Sequence, residues 1–222
     1  MIPLRDNIPH RRKPIVTVLI LIVNIVVFLY EISLGQRLEE FIYLYGFIPH
    51  SLFLPISFLS KIKPLFTSMF LHASWAHLVG NMLFLWIFAD NVEDRLGHFN
   101  FLIFYVLCGF GASLSHLIMS SHSRIPAVGA SGAIAGVLGA YLVMFPSAKV
   151  LTLIPLFIFW QIVEVPAFIF LGVWFIYQFL LGVSSIGGTQ AGIAFWAHIG
   201  GFIAGIVLLR VFIRRKRYYY SG

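Results

Sequence analysis

The sequence predicts an all-α polytopic membrane protein, a bundle of six transmembrane helices in which the fourth helix is short and recessed. Three observations carry that expectation. The 222 residues are 60% hydrophobic and 10% charged, with a mean hydropathy of +0.94, so there is too little charge to cover a water-soluble globule of this size. Apolar runs near the ~20 residues that cross a bilayer recur along the whole chain. No polar stretch between them is long enough for a second domain, so one core is expected over 14–213, flanked by basic cytoplasmic tails at 1–13 and 214–222.

The first span, Pro14 to Tyr30, follows the basic cluster HRRK. It is long for a signal-peptide core and no small-x-small cleavage site follows, so a retained helix is expected. An outer segment from Glu31 to Lys63 comes next; its apolar stretch SLFLPISFL is short and broken by Pro55, which suits a segment lying in the membrane interface. The remaining spans are expected at Ser74 to Ala89, Phe99 to Ile118, Ser131 to Phe145, Pro166 to Val183 and Gly192 to Ile213. Six spans put both termini on one side. With the termini inside, 11 of the 15 Lys and Arg fall on the inner segments, leaving only Arg37, Lys61, Lys63 and Arg124 outside. Topology and anionic lipid then account for the net charge of +7 without nucleic acid. The single cysteine, Cys108, excludes an intramolecular disulfide.

Polar groups inside spans are expensive, and four stand out: His77, Asn81, Ser131 and His198. A span of 15 residues is roughly 22 Å long against a hydrocarbon core of ~30 Å, so the fourth helix crosses only if its start is sunk below the outer surface. Ser131 then sits recessed, at a helix N-terminus whose free N–H groups and positive dipole end face upward. His198 is six residues into the sixth span, roughly 9 Å down, which is the same depth. It shares a stripe with Gly201 and Gly205, while Gly132, Gly136 and Gly139 bare the surface of the fourth span. Two such faces can approach closely and bring His198 within hydrogen-bond reach of Ser131, the adjacent base that a serine nucleophile needs.

His77 and Asn81 are four apart, on one face of the second span near its outer entry. With the backbone N–H groups of Gly129 and Ser131 they are candidate donors to an oxyanion. His72 is expected to order the entry loop. Asp90, Glu93, Asp94 and Glu164 all fall at inner ends, so none can orient His198 and a two-member Ser–His unit is expected. Glu93 and Arg95 read as a structural pair pinning the inner loop, and Glu164 as a residue at the inner entry of the fifth span. A metal site built on His72, His77 and His198 lacks both HExxH and a carboxylate at membrane depth, so neither metal nor cofactor is expected.

From Pro14 to Ile213 the sequence resembles the rhomboid family of intramembrane serine proteases. The family's G-x-S-G reads GASG at Gly129 to Gly132, its A-H-x-x-G-x-x-x-G reads AHIGGFIAG at Ala197 to Gly205, and its H-x(4)-H-x(3)-N reads HASWAHLVGN at His72 to Asn81. The resemblance implies a rhomboid-like bundle, with Ser131 as nucleophile, His198 as general base and then acid, and His77 and Asn81 as oxyanion donors. It implies substrates that are single transmembrane helices in the lipid bilayer, cut near the outer face after a small residue, and a water-filled dip above Ser131. The compact six-span core looks like bacterial or archaeal members, which places it in the cytoplasmic membrane. A non-catalytic relative that only binds membrane helices is the alternative. Two departures stand out: Lys63 and Pro64 replace a Trp-Arg pair that many members carry before the second span, and Ala135 stands where some have a tyrosine packed on the catalytic imidazole. Support for the His198 ring is therefore expected from Trp196 or its neighbours.

Overall fold

A computed structural model of the chain describes residues 1–9, 11–156, 159–185 and 195–213. Among the described residues eight α-helices follow one another: α1 Ile15–Ser33, α2 Leu38–Tyr45, α3 Phe58–Thr67, α4 Trp75–Leu96, α5 His98–Met119, α6 Ser131–Met144, α7 Ala167–Ser184 and α8 Phe195–Phe212. Four of them (α1, α5, α7 and α8) are long and apolar enough to cross a membrane unaided, and α3 with α4, bent by 79° at a short break, passes as a fifth. At 14 residues, roughly 21 Å, α6 is too short to count by length alone. The protein is a multi-pass membrane protein of largely helical fold.

The packing explains where each face points. Along α1 the residues Leu19, Ile22, Val26 and Leu29 are exposed at helical spacing, and Ile176 and Leu180 do the same on α7, as do Val207 and Val211 on α8. On helices long and apolar enough to cross a membrane, stripes of this extent are faces for lipid. By contrast α6 is buried on every side from Gly132 to Tyr141, and its glycines and alanines put no polar side chain into the core there apart from the Tyr141 hydroxyl. It is enclosed chiefly by α4, α5 and α8.

A small antiparallel sheet caps the end of the bundle away from Ser131, in the order β1 Ile2–Asp6, β2 Lys149–Leu156 and β3 Phe159–Pro166. Residues 2–6 are thus a strand, where the sequence reading expected only a basic tail. Val150 and Thr152 of β2 are buried on its face toward the bundle. The Asp6 carboxylate accepts from the Tyr141 hydroxyl of α6 and, at 2.8 Å, from the Asn91 amide of α4, fastening the sheet to both helices. Glu164, expected at the inner entry of the fifth span, lies on β3 three residues ahead of α7 and pairs with Lys149 at 2.8 Å. That bond holds the Glu164 carboxyl below, and the Lys149 ammonium above, its ordinary range.

Two further expectations are corrected. Glu93 does not pair with Arg95: its carboxylate accepts from the N–H of Val16 and Thr17 at 2.9 and 2.8 Å and from the Thr17 hydroxyl at 2.6 Å, and meets His98 Nδ1 at 2.5 Å. It caps the orphan donors at the start of α1, where an anion is favoured. The Arg95 guanidinium lies over the Phe145 ring instead. Nor does Glu31 open the outer loop, because α1 runs on to Ser33 and buries it.

Candidate active site

The segment before α6 is tied to residues that lie between α2 and α4. Phe47 and Ala127 exchange backbone hydrogen bonds of 3.0 and 2.8 Å, and the Gly129 N–H donates to the Ser68 carbonyl at 2.8 Å. Gly129 has φ +128°, a region that side chains avoid, and a Cβ there would stand 2.8 Å from the His77 imidazole. The chain then turns into α6 with Ser131 as its first residue. The first intrahelical bond is made by the Ile134 N–H to the Ala130 carbonyl, so the first-turn N–H groups ahead of it have no helical acceptor. Gly129, by contrast, has its own N–H taken by Ser68.

On the facing helix the glycines decide the approach. A methyl on Gly201 would run into the Gly132 carbonyl, and one on Gly205 into the Gly136 backbone. Backbone thus meets backbone along the crossing of α6 and α8. His198, one turn before Gly201, reaches across it. Its Nε2 lies 2.7 Å from Ser131 Oγ. Its other nitrogen, Nδ1, lies 2.8 Å from the Gln178 amide oxygen on α7, and the Trp174 ring, from the preceding turn of α7, stands 6.2 Å from the imidazole centroid. Support for the ring therefore comes from α7 and not from Trp196, whose carbonyl accepts from Ser115. Ala135 is fully buried.

The third wall is the start of α4. Ser74 caps it by accepting from the His77 N–H at 3.2 Å. His77 borders Gly129, and its ring stands edge-on to that of His72 at 5.2 Å. The Asn81 amide nitrogen meets His72 Nε2 at 3.0 Å, while the buried Glu31 carboxylate accepts from the His72 backbone N–H at 3.1 Å. His72 therefore links α1 to the face that carries Asn81. Beside Ser131 a small cavity opens between Met69, Ala112, Ser113, His116 and Ala133.

Sequence reasoning missed three residues of this arrangement: Gln178, Trp174 and Glu31. Gln178 carried a signal, since a buried amide inside an apolar span is as anomalous as the four polar residues singled out. Glu31 carried none, because a carboxylate at the end of an apolar run looks like the run's boundary.

The family model of the rhomboid domain matches residues 60–215. The chain belongs to the rhomboid family. Among curated relatives, the mitochondrial rhomboid protein 1 of Saccharomyces cerevisiae is 35% identical over 159 residues, covering 67% of this chain and 41% of the relative. The RHOMBOID-like protein 1 of Arabidopsis thaliana is 33% identical over 160 residues, 72% of this chain and 37% of that one. The rhomboid protease GluP of Bacillus subtilis is 35% identical over 131 residues, 59% of this chain and 24% of that protein. The chain thus spans less than half the length of each of these rhomboid relatives. All three motifs of the resemblance fall within the matched residues.

Proposed function

We propose that this rhomboid is an intramembrane serine endopeptidase in which Ser131 is the nucleophile and His198 the base. The 2.7 Å approach of Ser131 Oγ to His198 Nε2 carries the reading. In the first step Nε2 takes the hydroxyl proton as Oγ bonds to the scissile carbonyl carbon. The negative charge that develops on the carbonyl oxygen is met by His77 and Asn81 and by the free N–H groups of the first turn of α6. Collapse breaks the C–N bond, His198 gives its proton to the leaving amine, and a water, deprotonated by the same nitrogen, releases the acyl group from Ser131.

The site also suggests its substrate. Helix α6 crosses the bilayer as a sixth span only if Ser131 is recessed, which sets the chemistry near the face opposite the sheet. A peptide bond buried in helix hydrogen bonding cannot reach it until the strand unwinds, so single transmembrane helices with helix-breaking residues near that face are the expected substrates. The narrow cavity between Met69, Ala112 and Ala133 suits a small side chain before the cut. The distribution of Lys and Arg favours both termini on the inner side, and the likeness of the six-span core to bacterial or archaeal members favours a cytoplasmic membrane. The test is incubation of the purified protein with a panel of single-span substrates and mapping of the products by mass spectrometry. One cut near the outer end of a span, absent with Ser131→Ala, is expected; an intact panel under conditions that bind substrate would leave a helix-binding protein.

A further inference from the structure

We propose that Gln178 is a positioning residue for His198, its amide oxygen holding the imidazole in the one tautomer that can take the proton of Ser131. The proposal rests on the reading of Ser131 and His198 as nucleophile and base. A neutral imidazole has one N–H donor and one bare nitrogen, and the group facing either nitrogen decides which is which. Gln178 Oε1 can only accept, so at 2.8 Å it places the hydrogen on Nδ1. Nε2 is then bare and faces the Ser131 hydroxyl at 2.7 Å. When Nε2 gains the serine proton, Nδ1 keeps its own, and the bond to Gln178 survives the whole cycle.

The fold is built for this contact. Trp174 and Gln178 are four residues apart, on one face of α7, and together they bound the imidazole. On either side of Gln178 the chain turns outward, with Tyr177 59% and Phe179 45% exposed, whereas Gln178 is 9% exposed. An amide pointing inward from a span surrounded by apolar side chains is costly unless it has a partner, and His198 is the partner given to it. The choice of residue type follows from the solvent. In serine hydrolases the orienting group is commonly a carboxylate, which at membrane depth would add a buried charge. A glutamine supplies the same acceptor oxygen without one.

The test compares rates of fluorophosphonate labelling of the full chain, purified in detergent, with Ser131→Ala as the blank. Gln178→Met keeps the length and bulk but loses the acceptor; Gln178→Glu keeps a carbonyl oxygen in either protonation state. Labelling about tenfold to a hundredfold slower is expected for Gln178→Met, the scale on which a misplaced catalytic group acts. Gln178→Glu is expected to label near the wild-type rate, whereas a merely packing role would leave the methionine and glutamate variants equally fast. Gln178→Asn, whose amide is withdrawn by one methylene, should be slow as well and serves if the methionine variant does not fold. Wild-type labelling by Gln178→Met or Gln178→Asn, or a Gln178→Glu as slow as they are, overturns the role of Gln178 while leaving the dyad standing. Absence of labelling in the wild type itself overturns both.

Discussion

A serine hydroxyl within a membrane helix ordinarily returns its hydrogen bond to a carbonyl one turn back. Ser131 is the first residue of α6, with no helical turn before it, so its Oγ is left to His198. Removing either partner should have the same consequence. Ser131→Ala and His198→Ala are each expected to abolish cleavage, and the double variant to be little worse, because the two act as one unit. Substantial activity in either single variant would contradict the pairing. In the proposed mechanism His77 and Asn81 belong to a different class, since they would meet charge that exists only in the transition state. Asn81→Ala and His77→Ala should each remain measurable proteases, slowed by about 2.7 to 4 kcal/mol of lost stabilisation, read from kcat. If both ran at the wild-type rate, the start of α4 would be scaffold only.

Between elements, the crossing of α6 and α8 sets the distance between Ser131 and His198. A side chain at Gly201 must displace the Gly132 carbonyl, and a shift of ~1 Å in the base costs on the order of a hundredfold in rate. Gly201→Leu should therefore insert normally yet lose fluorophosphonate labelling; equal labelling of the folded variant would mean that the two helices do not meet there. Glu93 offers the contrasting case. It lies twelve residues past Asn81 on α4, roughly 18 Å along the helix axis, and its carboxylate caps the start of α1. Glu93→Ala leaves buried donors at Val16 and Thr17 unpaired, so a loss of about 1 to 3 kcal/mol in stability is expected by denaturant titration. The fraction that stays folded should label at the wild-type rate, and slower labelling of that fraction would couple the two ends of the bundle.

At the scale of the molecule, what was legible in the sequence is what hydropathy and spacing encode. The helical spans emerged because lipid-facing residues such as Ile22, Val26 and Val207 must be apolar, and that requirement writes long runs. Ser131 and His198 emerged because polar groups are conspicuous in such runs. The sheet did not, although Val150, Ile162, Val163 and Val165 favour strands: β2 and β3 pair as neighbours in sequence, but short apolar stretches do not by themselves tell strand from helix, and the third strand, residues 2–6, lies far away in the sequence. Gln178 was not legible as a partner of His198 because the group that orients a base histidine is commonly a carboxylate. Glu31 and Glu93 were misjudged for a shared reason: each finds its partner on a distant part of the chain, at His72 just before α4 and at the start of α1, and only the fold brings those together. The central claim is that Ser131 is a nucleophile made reactive by His198. The measurement that addresses it most directly is mass-spectrometric mapping of the fluorophosphonate adduct on the purified protein. A single adduct on Ser131 in the wild type and none in folded His198→Ala is the predicted result. An adduct elsewhere, or one on Ser131 formed equally fast without His198, would contradict it.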